Sequence, residues 1–461
     1  GLAGQPTRIT GQENVSFRSS CFTRVKAASD TTIDGVAPGA SYPQACSDGA
    51  PFLNPQVAMT LRVTDKLGLG LALLGPNAIG RVTWPDFAGA SPSPQRYLML
   101  DTSSLVLSPT IGAGLELLPG LRVGASLVWG IAHVKASRTT VALADAGMDP
   151  AVNDVRATID VLDAFVPGAN LGALWSPSTL VDVGAWWKWS APISASGSVQ
   201  TSSNWYTARV AGGDTSKVVY GDSRLPDCGQ PGSSACGRDV TSFEMAIPME
   251  AKLGARFHLP RARTLEASDQ TAVRPRDPIA DDLFDVELDL TYANNAAIDD
   301  VHIRFPSGPD GQGLVPVPGS AGRIPPNADV HHAYKDVFGA RLGGDFVIVP
   351  NVFALRGGAF VESRAQDGRY QNIDFLGGER LGFSAGATAR IRGRAQQSKG
   401  AFEVMVGYMH VIVSTQKNDD PRAPGLGAMA GAAPNTTPWP VNLGTIASSV
   451  DVISFGIGYR F

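Results

Sequence analysis

The 461-residue chain has no apolar run approaching the roughly 20 residues of a membrane-crossing helix, and its mean hydropathy is +0.00. Both facts exclude a polytopic helical membrane protein. Charge is scarce as well: 17% of the residues are charged, against roughly 25% in an ordinary soluble domain. Charge of one sign is not in excess, and a net charge of -4 gives no sign of a nucleic-acid partner. The opening GLAGQPTRIT has no basic, apolar leader and reads as a mature or truncated start. Cysteine is limited to four residues, all in loop-like surroundings: Cys21 and Cys46 flank one polar stretch, and Cys228 and Cys236 lie in DCGQPGSSACG. An even count in such contexts points to two disulfides and an oxidising compartment. Free thiols are the alternative, and zinc is a weaker one, because neither pair is C-x-x-C and no histidine lies near. No cofactor motif is present.

What the chain has in abundance is alternation. It ends VDVISFGIGYRF, where Ile453, Phe455, Ile457, Tyr459 and Phe461 share one face and Ser454, Gly456, Gly458 and Arg460 the other. A period of two is a strand with one apolar face. The same pattern recurs in LRVGASLVWGIA (121–132), FEMAIPMEAKLGARF (243–257), FDVELDLTY (284–292) and LGFSAGATARIR (381–392). In 243–257 it sets Phe243, Met245, Ile247, Met249, Leu253 and Phe257 against Glu244, Glu250, Lys252 and Arg256.

Alternating runs predict about fourteen strands, near 7–27, 54–64, 67–76, 98–117, 121–135, 155–175, 180–193, 240–257, 282–306, 331–348, 351–366, 379–394, 399–415 and 446–461. Short turns alternate with long polar connections, 28–53, 77–97, 135–154, 194–239, 307–330, 367–378 and 416–445. An even strand count with tight turns at one rim and long loops at the other is the pattern of a bacterial outer-membrane barrel. One connection departs from it: 261–282 is long and polar yet falls on the short-turn side. A soluble sandwich or propeller would carry many Lys and Glu on its exposed faces. Here the polar faces are Gly, Ser and isolated charges of both signs, and aromatics gather at strand ends, as in interfacial girdles. The expected fold is therefore all-β: one antiparallel transmembrane barrel over 1–461, in the outer membrane, in contact with its lipid and lipopolysaccharide. Phe461, outward and terminal, resembles the signal read by the barrel assembly machinery.

The inward charges nearly balance, with Arg122, Lys188, Arg256, Arg341, Arg356 and Arg390 among the bases and Glu116, Glu250, Asp285, Asp345 and Glu403 among the acids. A balanced set suits side chains that pair with one another or with a plug, since buried charges need partners. Pro109 and Pro248, inside strands, mark bulges or breaks.

Four segments resemble the FadL/TodX family of outer-membrane transporters for long-chain fatty acids and aromatic hydrocarbons: LVLSPTIGAGLELLPGLRVGASLVWG (105–130), MAIPMEAKLGARF (245–257), FDVELDLTYANNAAIDDVHI (284–303) and YKDVFGARLGGDFVIVPNVFALRGGAFVES (334–363). The resemblance implies a fourteen-stranded barrel, passive capture of a hydrophobic small molecule by the long loops, and lateral release through a gap at a kinked third strand. The third strand, LGLGLALLGPNAIG (67–80), carries Gly75-Pro76 at that place. The family's N-terminal hatch precedes the first strand, and with Gly1-Leu2-Ala3-Gly4 as the start the expectation is a barrel without it, its lumen open to water. In loop 135–154, Val141, Leu143 and Met148 are candidate ligand contacts, against the simpler reading of loop self-packing.

Other motifs carry less. GFSAG (382–386) matches a hydrolase pattern, but that motif needs a strand-turn-helix elbow, whereas Ser384 sits mid-strand; GDSR (221–224), with Ser223, lacks any helical context. His258, His331 and His332 read as rim residues, and Asp299-Asp300 and Asp419-Asp420 as solvated acids rather than a calcium site. No catalytic or metal residue is assigned. The rivals to transport of apolar solutes are a porin for polar ones, a serine hydrolase, and a structural or adhesive surface barrel.

Overall fold

The computed structural model describes residues 7–25, 37, 39–75, 80–89, 91–141, 154–203, 241–261, 277–298, 300–304, 315–316, 323–324, 327–392, 400–420 and 442–461. Fourteen staves pair antiparallel with their sequence neighbours. They are β1 (Arg8–Arg24), β2 (Pro51–Arg62), β3 (Leu67–Leu74, resuming at Gly80–Thr83), β4 (Asp101–Leu118), β5 (Leu121–Val141), β6 (Asp154–Trp175) and β7 (Val181–Ser190 and Ile193–Ser203). Then follow β8 (Thr241–Met245 and Glu250–Pro260), β9 (Asp282–Ala293 and Asp300–Arg304), β10 (Ala328–His331 and Val337–Val349), β11 (Phe353–Glu362), β12 (Arg380–Arg392), β13 (Ala401–Asn418) and β14 (Gly444–Arg460). The last stave returns to the first in register from Arg8–Arg460 to Arg24–Gly444, so the sheet closes and has no edge.

At one rim the connections from β2 to β3, β4 to β5 and β10 to β11 are tight turns. Between β4 and β5, Gly120 takes φ +79, and a Cβ there would lie 2.7 Å from the Ser176 carbonyl; its N–H is received by the Glu116 carboxylate at 3.2 Å. Across the middle of the wall the outward face is apolar and uncovered: Leu127 is 67% exposed, Phe455 56% and Leu253 54%. A water-soluble protein does not expose such a belt; a barrel facing lipid must. Aromatic contacts border it, with Trp129 edge-on to Phe165 at 5.1 Å and Tyr292 tilted against Phe338 at 5.2 Å.

Toward the loop rim the polarity of the two faces exchanges. In β6, Val161 is 1% exposed while Leu162 is 51%, whereas nearer the turns the outward set is Phe165, Leu171 and Trp175. The register shift between Asp163 and Val166 produces this change, because a one-residue slip moves every side chain to the other face. The breaks at Ala191-Pro192 in β7, 246–249 in β8 and 332–336 in β10 do the same for their staves. Two expectations are corrected here. Phe243 packs inward and Glu244 is exposed, the reverse of a single alternation through 243–257, because Pro248 interrupts the stave. Residues 194–203, expected in a loop, continue β7, paired with β6 from Leu162–Ser196 to Val155–Ser203.

Candidate functional site

The inward face near the loop rim is built from two apolar clusters. One joins β5 through β10, with Val134, Val161, Ile193, Phe243, Val301 and Val330 at its centre. The other joins Phe22 of β1, Val413 of β13 and Ile446 of β14 to Trp84 and Met99 from the β3–β4 connection and Ile373 from the β11–β12 connection. The two connections thus fold over the mouth. The second is pinned at its middle: Arg18 donates to the carbonyls of Ile373 (2.7 Å) and Asp374 (3.1 Å), and the Asp374 carboxylate meets His332 Nε2 at 2.9 Å. His332 stacks on Tyr334 at 4.9 Å, and the Tyr334 hydroxyl donates to the Phe375 carbonyl at 3.3 Å.

Nearer the turn rim the interior is polar and many of its charges are paired. Lys188 meets Glu250 at 3.2 Å, Arg256 meets Asp285 at 2.7 Å, Arg341 meets Glu362 at 2.9 Å and Arg356 meets Asp345 at 3.4 Å. The pairing anticipated from the balanced composition is present. It extends to all six histidines of the chain, each within 2.9 Å of an aspartate. His258 is bracketed by Asp182 and Asp282, 2.9 Å from each, and Asp285 lies beside it. The hydrogen bonds on both ring nitrogens and the Arg256–Asp285 pair account for this cluster without a metal ion. His258 lies near the turn-rim end of β8, as expected, and is buried there.

The ladder between β3 and β4 changes register on either side of Gly75. The ladder of β3 to β2 reaches Val57–Leu73, its ladder to β4 stops at Leu74–Ser108, and the latter resumes at Gly80–Ser104. Gly75 is buried here; a Cβ on it would lie 1.9 Å from Asn54 Oδ1 and 2.7 Å from the Pro55 carbonyl, so only glycine fits. Gly80 has φ +67 and abuts Phe52, a second position that excludes a side chain. Near the register change, the outer surface forms an apolar groove of about 660 Å³ lined by Val57, Leu71, Leu73, Ile111, Trp129 and Phe165. Pro109, also in its lining, pairs with Leu73 of β3 but has no registered partner on β5.

Of the residues singled out in sequence, Gly75 stands at the register change and Pro76 lies outside the described residues. Val141 closes β5, opposite Asp154; Leu143 and Met148 lie outside the described residues. Cys21 and Cys46 are disulfide-bonded, tying β1 to the short strand Ala45–Cys46, while Cys228 and Cys236 lie outside the described residues. Phe461 is exposed, edge-on to Tyr459 at 4.8 Å. Ser384 is mid-strand in β12 and donates to the Gly358 carbonyl at 3.4 Å; Ser223 and Asp299 are outside the described residues. Asp419 is paired with Lys417 at 2.9 Å. The Arg18–Asp374–His332 pin was not singled out in sequence, and the nearness of residues so far apart along the chain leaves no local pattern to find.

No protein-family model matches the chain, and no curated protein does. Solved structures do. The barrel is similar to a Pseudomonas aeruginosa FadL homologue (13% identity, TM-score 0.67, covering 99% of this chain and 91% of that one). It is also similar to the toluene transporter TbuX of Ralstonia pickettii (12%, 0.55, 100% and 90%) and the toluene transporter TodX of Pseudomonas putida (10%, 0.56, 100% and 91%). At these identities the likeness establishes the fold: the chain is a transmembrane β-barrel of the FadL type.

Proposed function

We propose that this chain is an outer-membrane channel for passive uptake of apolar small molecules, aromatic hydrocarbons or fatty-acid-like compounds. The loop rim is then extracellular and the turn rim periplasmic. One observation carries the reading: the interior is apolar above and polar, with many of its charges paired, below. An apolar solute gains free energy by leaving water for the apolar upper interior and would lose it again in the polar lumen. The register change at Gly75 of β3 and the outer apolar groove near it offer the alternative, a way sideways into lipid. The toluene transporters and the FadL homologue of the same fold support this class of cargo. The paired lumen charges give no support to a channel for polar ions, which segregates charge at its constriction. In this setting Phe461 serves the assembly machinery that inserts the barrel, and the exposed belt contacts membrane lipid. The test is uptake of labelled toluene and of labelled oleate by cells carrying the chain, against cells carrying Gly75→Leu. We expect accumulation with the first and at least a tenfold loss with the second. Uptake no faster than in cells without the chain ends the reading.

A further inference from the structure

The connection that breaks the short-turn rule ends as a structured insert. The single helical turn α1 (Pro278–Asp281), preceded by Asp277, leads directly into β9. Ile279 packs on the inward residues Val347 of β10 and Ala354 of β11, and its carbonyl receives the Asn351 N–H at 2.9 Å. Arg261, at the other end of the connection, donates to the Asp281 and Val347 carbonyls. Asp277 reaches farther round the mouth. Its carboxylate accepts two bonds of 2.8 Å from Arg390 of β12 and one of 2.5 Å from Arg460 of β14. Behind it, Glu403 of β13 accepts from Arg390 at 2.7 Å and from Arg8 of β1 at 2.6 Å. The chain Arg460–Asp277–Arg390–Glu403–Arg8 alternates in sign, and the Arg390 and Glu403 side chains are only 4% and 6% exposed. A surface turn has no need of a bidentate, buried anchor on a stave three positions away.

We propose that Asp277–Asp281 is an internal plug at the turn-rim mouth, latched by Asp277, which obstructs the water path. The role deepens the transport reading and rests on it for the direction of flow, but closure itself does not depend on the cargo. With Asp277 in place the five-member cluster carries three cations and two anions. Without it, three cations face Glu403 alone, and repulsion drives the insert off its seat. The latch is specific in shape as well as charge, because the planar Arg390 fork takes both carboxylate oxygens.

The test is single-channel conductance of the purified whole chain in planar bilayers, beside Asp277→Asn, Asp277→Glu and Arg460→Gln, each first checked for a folded barrel by heat-modifiable migration. The original chain should be nearly silent, Asp277→Asn should show at least a tenfold greater open-channel current, Arg460→Gln an intermediate rise, and Asp277→Glu little change. A second readout uses Ile279→Cys, with Cys228 and Cys236 changed to serine: a water-soluble maleimide should label it slowly, and at least tenfold faster once Asp277→Asn is added. Steady conduction by the original chain, or folded variants that stay silent with Ile279→Cys protected, overturns the plug. Loss of toluene uptake without any change in conductance would count against the transport reading and not against the latch.

Discussion

The upper and lower parts of this barrel use the same staves with opposite polarity. Around the belt, Leu127 faces out and the paired ions of β7 through β13 face in; nearer the loop rim, Val134 and Val161 face in, while His133, Lys135 and Asp160 group on the other face, His133 Nε2 2.7 Å from Asp160. The difference teaches that a strand's apolar face is not tied to a side of the wall. Where the surroundings are lipid, apolar residues belong outside; where they are water, the apolar set turns inward and makes an ordinary hydrophobic interior. Bulges and short breaks are the cheap devices that switch one arrangement into the other.

The largest break of this contrast is a charge in the packed apolar cluster near the loop rim. Val161→Asp buries a carboxylate among apolar side chains, and we expect about 4 kcal/mol of destabilisation, measured by thermal unfolding. Next comes Leu127→Lys at mid-belt, about 2–4 kcal/mol by the same measurement, falling to under about 1 kcal/mol for Leu162→Lys. The partner of Leu162 on β5 is His133, at the upper edge of the belt. Equal costs at the two sites would mean that the belt is misplaced.

Acid sharpens the comparison from below. Burial raises the affinity of Asp277 for a proton, but the hydrogen bonds and charge of Arg390, and then of Arg460, outweigh it and hold the carboxyl below its ordinary range. A lowered folded value means that the latch is intact above the usual carboxylate range and is lost as pH falls through the lowered value. Glu403, Arg8 and Asp281, whose carboxylate accepts the Asp277 N–H at 2.8 Å, face the same group. Conductance should therefore stay low at neutral pH and rise only below about pH 4, and it should lose that dependence in Asp277→Asn. The smallest effect is expected at the loop rim, where Lys417 and Asp419 are 65% and 77% exposed. Lys417→Ala should leave the thermal unfolding midpoint unchanged, as expected of a solvated pair.

Much of the architecture was legible in the alternation. The fourteen staves, the division into a turn rim and a loop rim, and the paired lumen charges follow from a period of two and from composition. Boundaries were off by a few residues, most at 194–203, where Ser, Gly and Gln gave no apolar signal yet the strand continues on β6. The wrong face at Phe243 and Glu244 has a plain cause: alternation carries no information about which side a stave presents once Pro248 has broken it. The oddity of 261–282 was visible as a long polar stretch in the wrong place, but nothing in it announces Arg390 or Arg460.

The order of strands and the lipid-facing belt were therefore determined by the chain's own local pattern, because strand periodicity and turn chemistry act over a few residues. Tertiary structure alone decided which face turns inward near the loop rim, how Arg18, His332 and Asp374 meet over the mouth, and where Asp277 docks. Those outcomes depend on closing the sheet into a cylinder, which brings the first stave against the last and puts residues hundreds of positions apart within a hydrogen bond of one another.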